Sequence, residues 1–274
     1  MSKKPAGKAL APNKNKLPAK GDDEFYSGSK KPRGLENVSA ADLIMPRITI
    51  IQALSPQLQK SKPEFIKGAK AGQFCDTAAK LVWDDELELI CCHYARVHLE
   101  WAPRGGKKSG LVANHGIDAS IMRKTTRDER NRAVLPNGNY IAETMTFFCL
   151  NVNDNGKECF VPMTSTQMKA ARLWIQLMQG IRLETSAGVP FVPDSYYQSY
   201  IANVVEQSNN DGEWFGWNMT AGRKTLEIDP SRELLERAKA FTATASIGLS
   251  RGDYDKAMET HAADERSDDP DGAM

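Results

Sequence analysis

From Glu86 to Trp101 the chain reads ELELICCHYARVHLEW, sixteen residues in which apolar and polar side chains alternate with a period of two. That period is the signature of a β-strand with unlike faces. It predicts Leu87, Leu89, Cys91, His93, Ala95, Val97, Leu99 and Trp101 on one face and Glu88, Ile90, Cys92, Tyr94, Arg96, His98 and Glu100 on the other. A strand this long is expected where it wraps around a small barrel. Shorter runs predict strands at Arg47–Leu54, Leu81–Trp83, Tyr140–Val152, Glu158–Thr164, Tyr197–Glu206 and Glu213–Met219. Residues tolerant of positive φ separate them at Asn137-Gly138, Asn153-Asp154-Asn155-Gly156 and Asn209-Asn210-Asp211-Gly212, and the last two predict hairpins.

The pattern turns helical twice. Met168, Ala171, Ile175 and Met178 recur at helical spacing, predicting a helix from about Ser165 to Gln179 that Gly180 stops. Asp229-Pro230, a capping residue followed by proline, predicts the start of a second helix through Leu234, Leu235, Ala238 and Phe241 that ends before Gly248. The fold class is therefore mainly β (α+β): an OB-like antiparallel β-barrel with two peripheral helices.

Charge divides the chain further. Residues 1–34 hold nine Lys/Arg against three Asp/Glu, and residues 253–274 hold eight Asp/Glu against two Lys/Arg, an asymmetry hidden in the net charge of +1. Segments of such composition bury too little apolar surface to fold alone. The expected organisation is a disordered basic arm over 1–39, an OB-like nucleic-acid-binding domain over 40–250 and a disordered acidic tail over 251–274. No apolar run approaches the ~20 residues of a membrane span, and no apolar segment follows the N-terminal lysines, so a cytoplasmic protein is expected. Five cysteines without a CxxC pair are expected to be buried or half-buried reduced thiols.

Catalytic signatures are missing. No Walker loop, GxGxxG, HExxH or GxSxG occurs, so no cofactor and no enzymatic activity is expected. Cys91-Cys92-His93 would resemble a metal cluster, but neighbours on a strand point to opposite faces and cannot share an ion. Asp84-Asp85 reads as a turn before the long strand rather than a nuclease carboxylate pair.

Basic and aromatic residues do come together. Tyr94, Arg96 and His98 share the more polar face of the long strand, which runs into Trp101 and the glycine-containing loop with Arg104, Lys107 and Lys108. A second basic stretch holds Arg123, Lys124, Arg127, Arg130 and Arg132, where the alternating signs of Arg127, Asp128, Glu129 and Arg130 also suit a merely solvated segment. Cations that track phosphates beside rings that stack on any base are what a sequence-independent single-strand binder needs. By parity Trp101 suits a core position as readily as a base platform, and one of Trp214 and Trp217 is expected to be exposed.

The strings MPRITIIQALSPQL, FIKGAKAGQFCDT, HLEWAPR and VPMTSTQMKAARLW, over about residues 45–180, resemble a family of tailed-bacteriophage proteins found in replication regions, which implies a single-stranded DNA-binding role. The layout is also similar to phage replication single-stranded DNA-binding proteins, which pair an OB-fold with an acidic tail that contacts polymerase and helicase. Many such tails end in an aromatic residue, whereas this chain ends Gly272-Ala273-Met274. The resulting expectation is a non-catalytic single-stranded DNA-binding protein of phage replication or recombination, with replication proteins as partners of residues 253–274 and homo-oligomerisation left open. The alternative is a phage structural protein or a modulator of host transcription, with a metal-dependent nuclease third.

Overall fold

The computed structural model describes residues 45–248 except 85, 104–109, 210 and 211. Its centre is an antiparallel sheet curled into a half-barrel. The long strand β4 (Glu86–Trp101) pairs along most of its length with β8 (Tyr140–Asn151). β9 (Lys157–Met163) returns beside β8 through a turn in which Asn155 and Gly156 take positive φ, and a Cβ on Gly156 would collide with Leu234. On the other edge of β4, residues Glu86 to Leu89 pair with β12 (Gln198–Asn209), which forms a hairpin with β13 (Gly212–Lys224). β5 (Leu111–Asn114) pairs with the far end of β4, and the short strands β6 (Thr126–Arg127) and β7 (Ala133–Val134) extend the sheet beyond β8. Two small antiparallel sheets are separate in their hydrogen bonding, β1 (Ile48–Ile50), β2 (Phe74–Asp76) and β3 (Leu81–Trp83), whose Ile48, Ile50 and Phe74 join the core under the first helix, and β10 (Leu183–Glu184) with β11 (Pro190–Phe191).

Helix α1 (Met168–Gly180) covers the first face of the sheet, and helix α2 (Glu233–Gly248) covers the second. Under α1, Trp174 stacks on Phe147 at 4.2 Å among Leu87, Leu89, Cys91, Met145, Val161 and Tyr200. Under α2, Phe241 meets Phe148 edge-on at 6.2 Å among Ile90, Cys92, Val97, Leu99, Trp101 and Phe160. A strand buried on both sides loses alternation and becomes an apolar run. Leu89-Ile90-Cys91-Cys92 and Phe147-Phe148 are such runs, and both phenylalanines are buried.

The faces of β4 correct the uniform alternation expected from sequence. Cys91 pairs with Cys149 and His93 with Phe148, leaving Cys92 as an extra residue in a β-bulge. Its carbonyl accepts hydrogen bonds from Ser195 Oγ at 3.3 Å and Thr242 Oγ1 at 2.9 Å. The inserted residue inverts the parity, so Leu87, Leu89 and Cys91 lie under α1, while Ala95, Val97, Leu99 and Trp101 lie on the α2 side.

Smaller corrections have local causes. Strand β1 is shorter than Arg47–Leu54 because pairing with β2 stops at Ile50. A 3-10 turn at Ser165–Gln167 precedes α1, and Gly180 is the last residue of the helix rather than a stop beyond it. Asp229 accepts from the Ser231 and Leu234 backbone N–H groups, but α2 begins only at Glu233 and includes Gly248. The five cysteines are free and buried. No helix among the described residues is long and apolar enough to cross a membrane.

The edge of β13 is occupied by side chains. The Gln52 amide donates to the Phe215 carbonyl and accepts from the Phe215 N–H, at 2.9 and 2.8 Å. Gln167 likewise donates to the Phe215 carbonyl at 3.2 Å and accepts from the Trp217 N–H at 3.3 Å. Two amides thus take the place of a neighbouring strand at Phe215 and Trp217.

Candidate nucleic-acid interface

Beyond the bulge, the first face of β4 carries Tyr94, Arg96, His98 and Glu100, paired across the ladder with Phe147, Met145, Glu143 and Ile141. Tyr94 is half-buried, with its ring tilted against Phe147 at 5.2 Å, so one end of the ring joins the core under α1. Arg96, two residues on, is exposed over the buried Met145. The structure therefore brings an aromatic ring and a guanidinium together where α1 no longer covers the sheet.

His98 shares that face but is only 2% exposed. Its backbone bonds to His115 and Gly116, Nδ1 lies 3.4 Å from the Gly116 carbonyl, and Nε2 lies 3.7 Å from Glu143 Oε1. No ring face remains for a base. Trp101 is 4% exposed and sits on the α2 side, so it belongs to the core and leaves the candidate face. Arg104, Lys107 and Lys108 lie outside the described residues; the flanking Ala102 N–H bonds to the Gly110 carbonyl at 2.9 Å.

The second basic stretch divides. Ala119–Lys124 forms a 3-10 turn whose Ile121 and Met122 pack near Ile141, on the first face. Asp118 caps its start, accepting from Ser120 Oγ and N, and these bonds with the nearby Arg123 hold the carboxyl below its ordinary value. Arg123 and Lys124 are exposed in the last turn and form no ion pair among the described residues. Arg127, also exposed, donates to the Asn131 carbonyl at 2.7 Å. Arg132 is engaged by Asp128 at 2.8 Å and lies 5.4 Å from the Tyr140 ring.

Glu100 braces this end from within. It accepts hydrogen bonds from His115 Nε2 at 2.8 Å, Asn139 Nδ2 at 2.5 Å and Asn137 Nδ2 at 3.3 Å. Burial pushes its carboxyl up, but the Asn139, His115 and Asn137 bonds outweigh it and hold the group below its ordinary value. The third strand of chemistry in the sequence, Cys91-Cys92-His93, splits across the sheet; among the described residues no three His, Cys, Asp or Glu side chains converge on a metal position. Of the two tryptophans on β13, Trp217 is buried beside Phe74 at 5.0 Å, and Trp214 is half-buried with its Nε1 donating to Gln207 at 2.8 Å.

Sequence reasoning passed over one cationic element. Residues 52–73 hold Lys60, Lys62, Lys67 and Lys70 against the single acid Glu64. The lysine count was the available signal, diluted by the prolines and glycines between.

A family model described as Pam3 phage gp34-like protein matches residues 13–248. No curated protein and no solved structure matches the chain.

Proposed function

The chain belongs to the Pam3 phage gp34-like family, and from that premise we propose that it binds single-stranded DNA without sequence preference and without catalysis, in phage replication or recombination. The observation that carries this reading is the placement of Tyr94 and Arg96 together on the open part of a curled antiparallel sheet, with exposed Arg123 and Lys124 on the 3-10 turn that packs near Ile141 on the same face. A ring can stack on any base and the cations can follow phosphates, which favours affinity over base readout. The curled half-barrel supports an OB-like reading, since that barrel offers one sheet face to a single strand. In this reading the acidic residues 253–274 recruit a phage polymerase, helicase or other replication protein in the host cytoplasm.

Titration of the full chain with labelled oligo(dT), oligo(U) and duplex at two salt concentrations tests the reading. Oligo(dT) should bind in a salt-sensitive manner and duplex much more weakly; absence of oligo(dT) binding at low salt overturns it. One observation favours the rival interaction protein: the β10–β11 hairpin exposes Val189, Phe191 and Val192, an apolar tip suited to a protein partner. Recovery of the chain only in purified particles would support that rival.

A further inference from the structure

The segment between β1 and β2 is a closed loop. The Ile51 N–H bonds to the Gln73 carbonyl and the Gly72 N–H to the Ile51 carbonyl, both at 2.8 Å, so the two ends meet. A long loop with joined ends is held by its own interior, and such loops are often functional. Here Ser55 and Gln57 are buried; Ser55 Oγ accepts from the Gln52 N–H at 2.9 Å, and the Gln57 carbonyl accepts from Ile66 at 2.9 Å. Further turn bonds join Lys62 to Gln59, Phe65 to Lys62 and Ala69 to Ile66. The Gln52 amide clamps the loop to β13, and the Phe215 ring lies against Gly72, where a Cβ would come within 3.1 Å of it.

This fixed scaffold presents Lys60, Lys62, Lys67 and Lys70, all exposed. None forms an ion pair among the described residues, whereas several exposed cations elsewhere do. Arg132 meets Asp128, Arg223 meets Glu88, Lys239 meets Glu236, and Lys157 lies between Asp76 and Asp154. Within the loop the only carboxyl is Glu64, half-buried with one oxygen away from solvent. Lys80, just beyond, donates to the Pro63 carbonyl and sets another cation against the loop. Uncompensated like charges on an ordered surface repel one another, and a polyanion relieves that repulsion. Lysine does so as a point charge that follows phosphates without fixing a base geometry.

We infer that the loop Ile51–Gln73 is a second phosphate-contacting surface for single-stranded DNA, with Lys60, Lys62, Lys67 and Lys70 as its contacts; this rests on the single-strand reading above. The loop is already ordered by its own hydrogen bonds, so engaging a strand requires little further ordering of the backbone. Its contribution is general affinity and salt dependence rather than sequence preference.

The test uses the full chain with K60A, K62A, K67A and K70A combined. A second variant, Lys67→Glu with Lys70→Glu, leaves the Pro63 neighbourhood untouched. Both are checked for an unchanged melting transition. Each lost contact should lower the slope of log affinity against log salt by ~0.7, about 2.8 for all four, and weaken oligo(dT) binding at low salt by about tenfold or more. An unchanged slope in a folded variant, while the native chain binds, overturns the loop assignment and leaves the Tyr94–Arg96 reading standing. Failure of the native chain to bind oligo(dT) removes both. Zero-length cross-linking of these lysines to carboxylates of residues 253–274, undiminished by saturating oligo(dT), would assign the loop to the chain's own acidic end and overturn the proposal.

Discussion

The two halves of β4 are built by different rules. Before the bulge, Leu87 to Cys92 sits between α1 and α2 with residues on both faces buried, as in the centre of a three-layer protein. After it, Ala95, Val97, Leu99 and Trp101 remain under cover on the α2 side, while Arg96 on the first face is exposed. The first half is core on both sides, and the second keeps one face in the core and opens the other at Tyr94 and Arg96, with His98 and Glu100 beyond them buried again. One extra residue separates them, which allows a single strand to pass from a closed core to an open face without changing partner.

The largest expected effect follows from that parity. Deleting Cys92 removes only the extra residue, so Cys91, His93 and Tyr94 keep their ladder partners and Ala95, Val97, Leu99 and Trp101 stay on the α2 side, whereas deleting Arg96 shifts every later residue of β4 by one. With the bulge in place, that second deletion turns Val97, Leu99 and Trp101 away from the α2-side core and drives His98 and Glu100 into it. No side-chain adjustment compensates for a half-strand facing the wrong way, so the Arg96 deletion should abolish the cooperative unfolding transition seen by circular dichroism, while the Cys92 deletion should retain one. Cys92→Ala keeps the bulge and should cost only about 1 kcal/mol. An Arg96 deletion with a native-like transition would show that the strand can give up its bulge to restore the parity of Val97, Leu99 and Trp101.

Next in size is the core under α1. Trp174 is fully buried and stacked on Phe147, and Trp174→Ala should cost ~3–5 kcal/mol in denaturant unfolding. The same measurement on Arg96→Ala should stay within ~0.5 kcal/mol, because an exposed side chain away from such packing contributes little. Comparable losses would erase the distinction between the halves.

This division explains how much of the molecule was legible in its sequence. The bounds of β4 were readable because sixteen residues carry a strand pattern without a breaker, and the β8–β9 and β12–β13 hairpins because Asn and Gly mark their turns. The bulge was hidden because Cys91, Cys92 and His93 suit a buried position on either face, so a shift of parity leaves no mark in residue type. Strands such as β6 and β7 are two residues long and exist through their partners, which local pattern cannot register. At the candidate site, Tyr94 and Arg96 were placed together by spacing alone. His98 and Trp101 differ from them through neighbours distant in sequence, Gly116 for one and the α2-side core for the other. The lysine loop was missed because its closure depends on bonds between Ile51, Gly72 and Gln73 rather than on periodicity.

On the open half, function should respond more than stability. Tyr94→Ala should weaken oligo(dT) binding by about 1–3 kcal/mol if its exposed ring edge and face receive a base, and Tyr94→Phe should retain most of the affinity. Arg96→Ala should lower the salt slope by ~0.7 with little change in melting temperature. The half-buried setting of Tyr94 against Phe147 adds a stability loss to the Ala variant, so the Phe variant separates the two roles. Equal affinity loss in Phe and Ala variants would point to the hydroxyl instead of the ring.

The smallest effect concerns Glu100, which supports the open half from beneath. Its hydrogen bonds from Asn139, His115 and Asn137 outweigh the cost of burial and hold its carboxyl below the ordinary range. A carboxylate with a lowered folded value contributes stability that is fully present above its unfolded pKa of ~4.3 and is lost as pH falls through the folded value. Glu100→Gln should therefore melt below the native chain at pH 7, and the gap should narrow as pH drops from about 4.3 into the acid range. Other carboxyls held low, such as Asp118, Asp128 and Asp229, titrate in both proteins, so the difference between the two melting curves isolates Glu100. A gap that stays constant into acid would locate the effect in the shape of the side chain rather than its charge. Because Glu100 is buried while Arg96 is exposed, the substitution should leave the salt slope of DNA binding at neutral pH unchanged, the opposite of the Arg96 result.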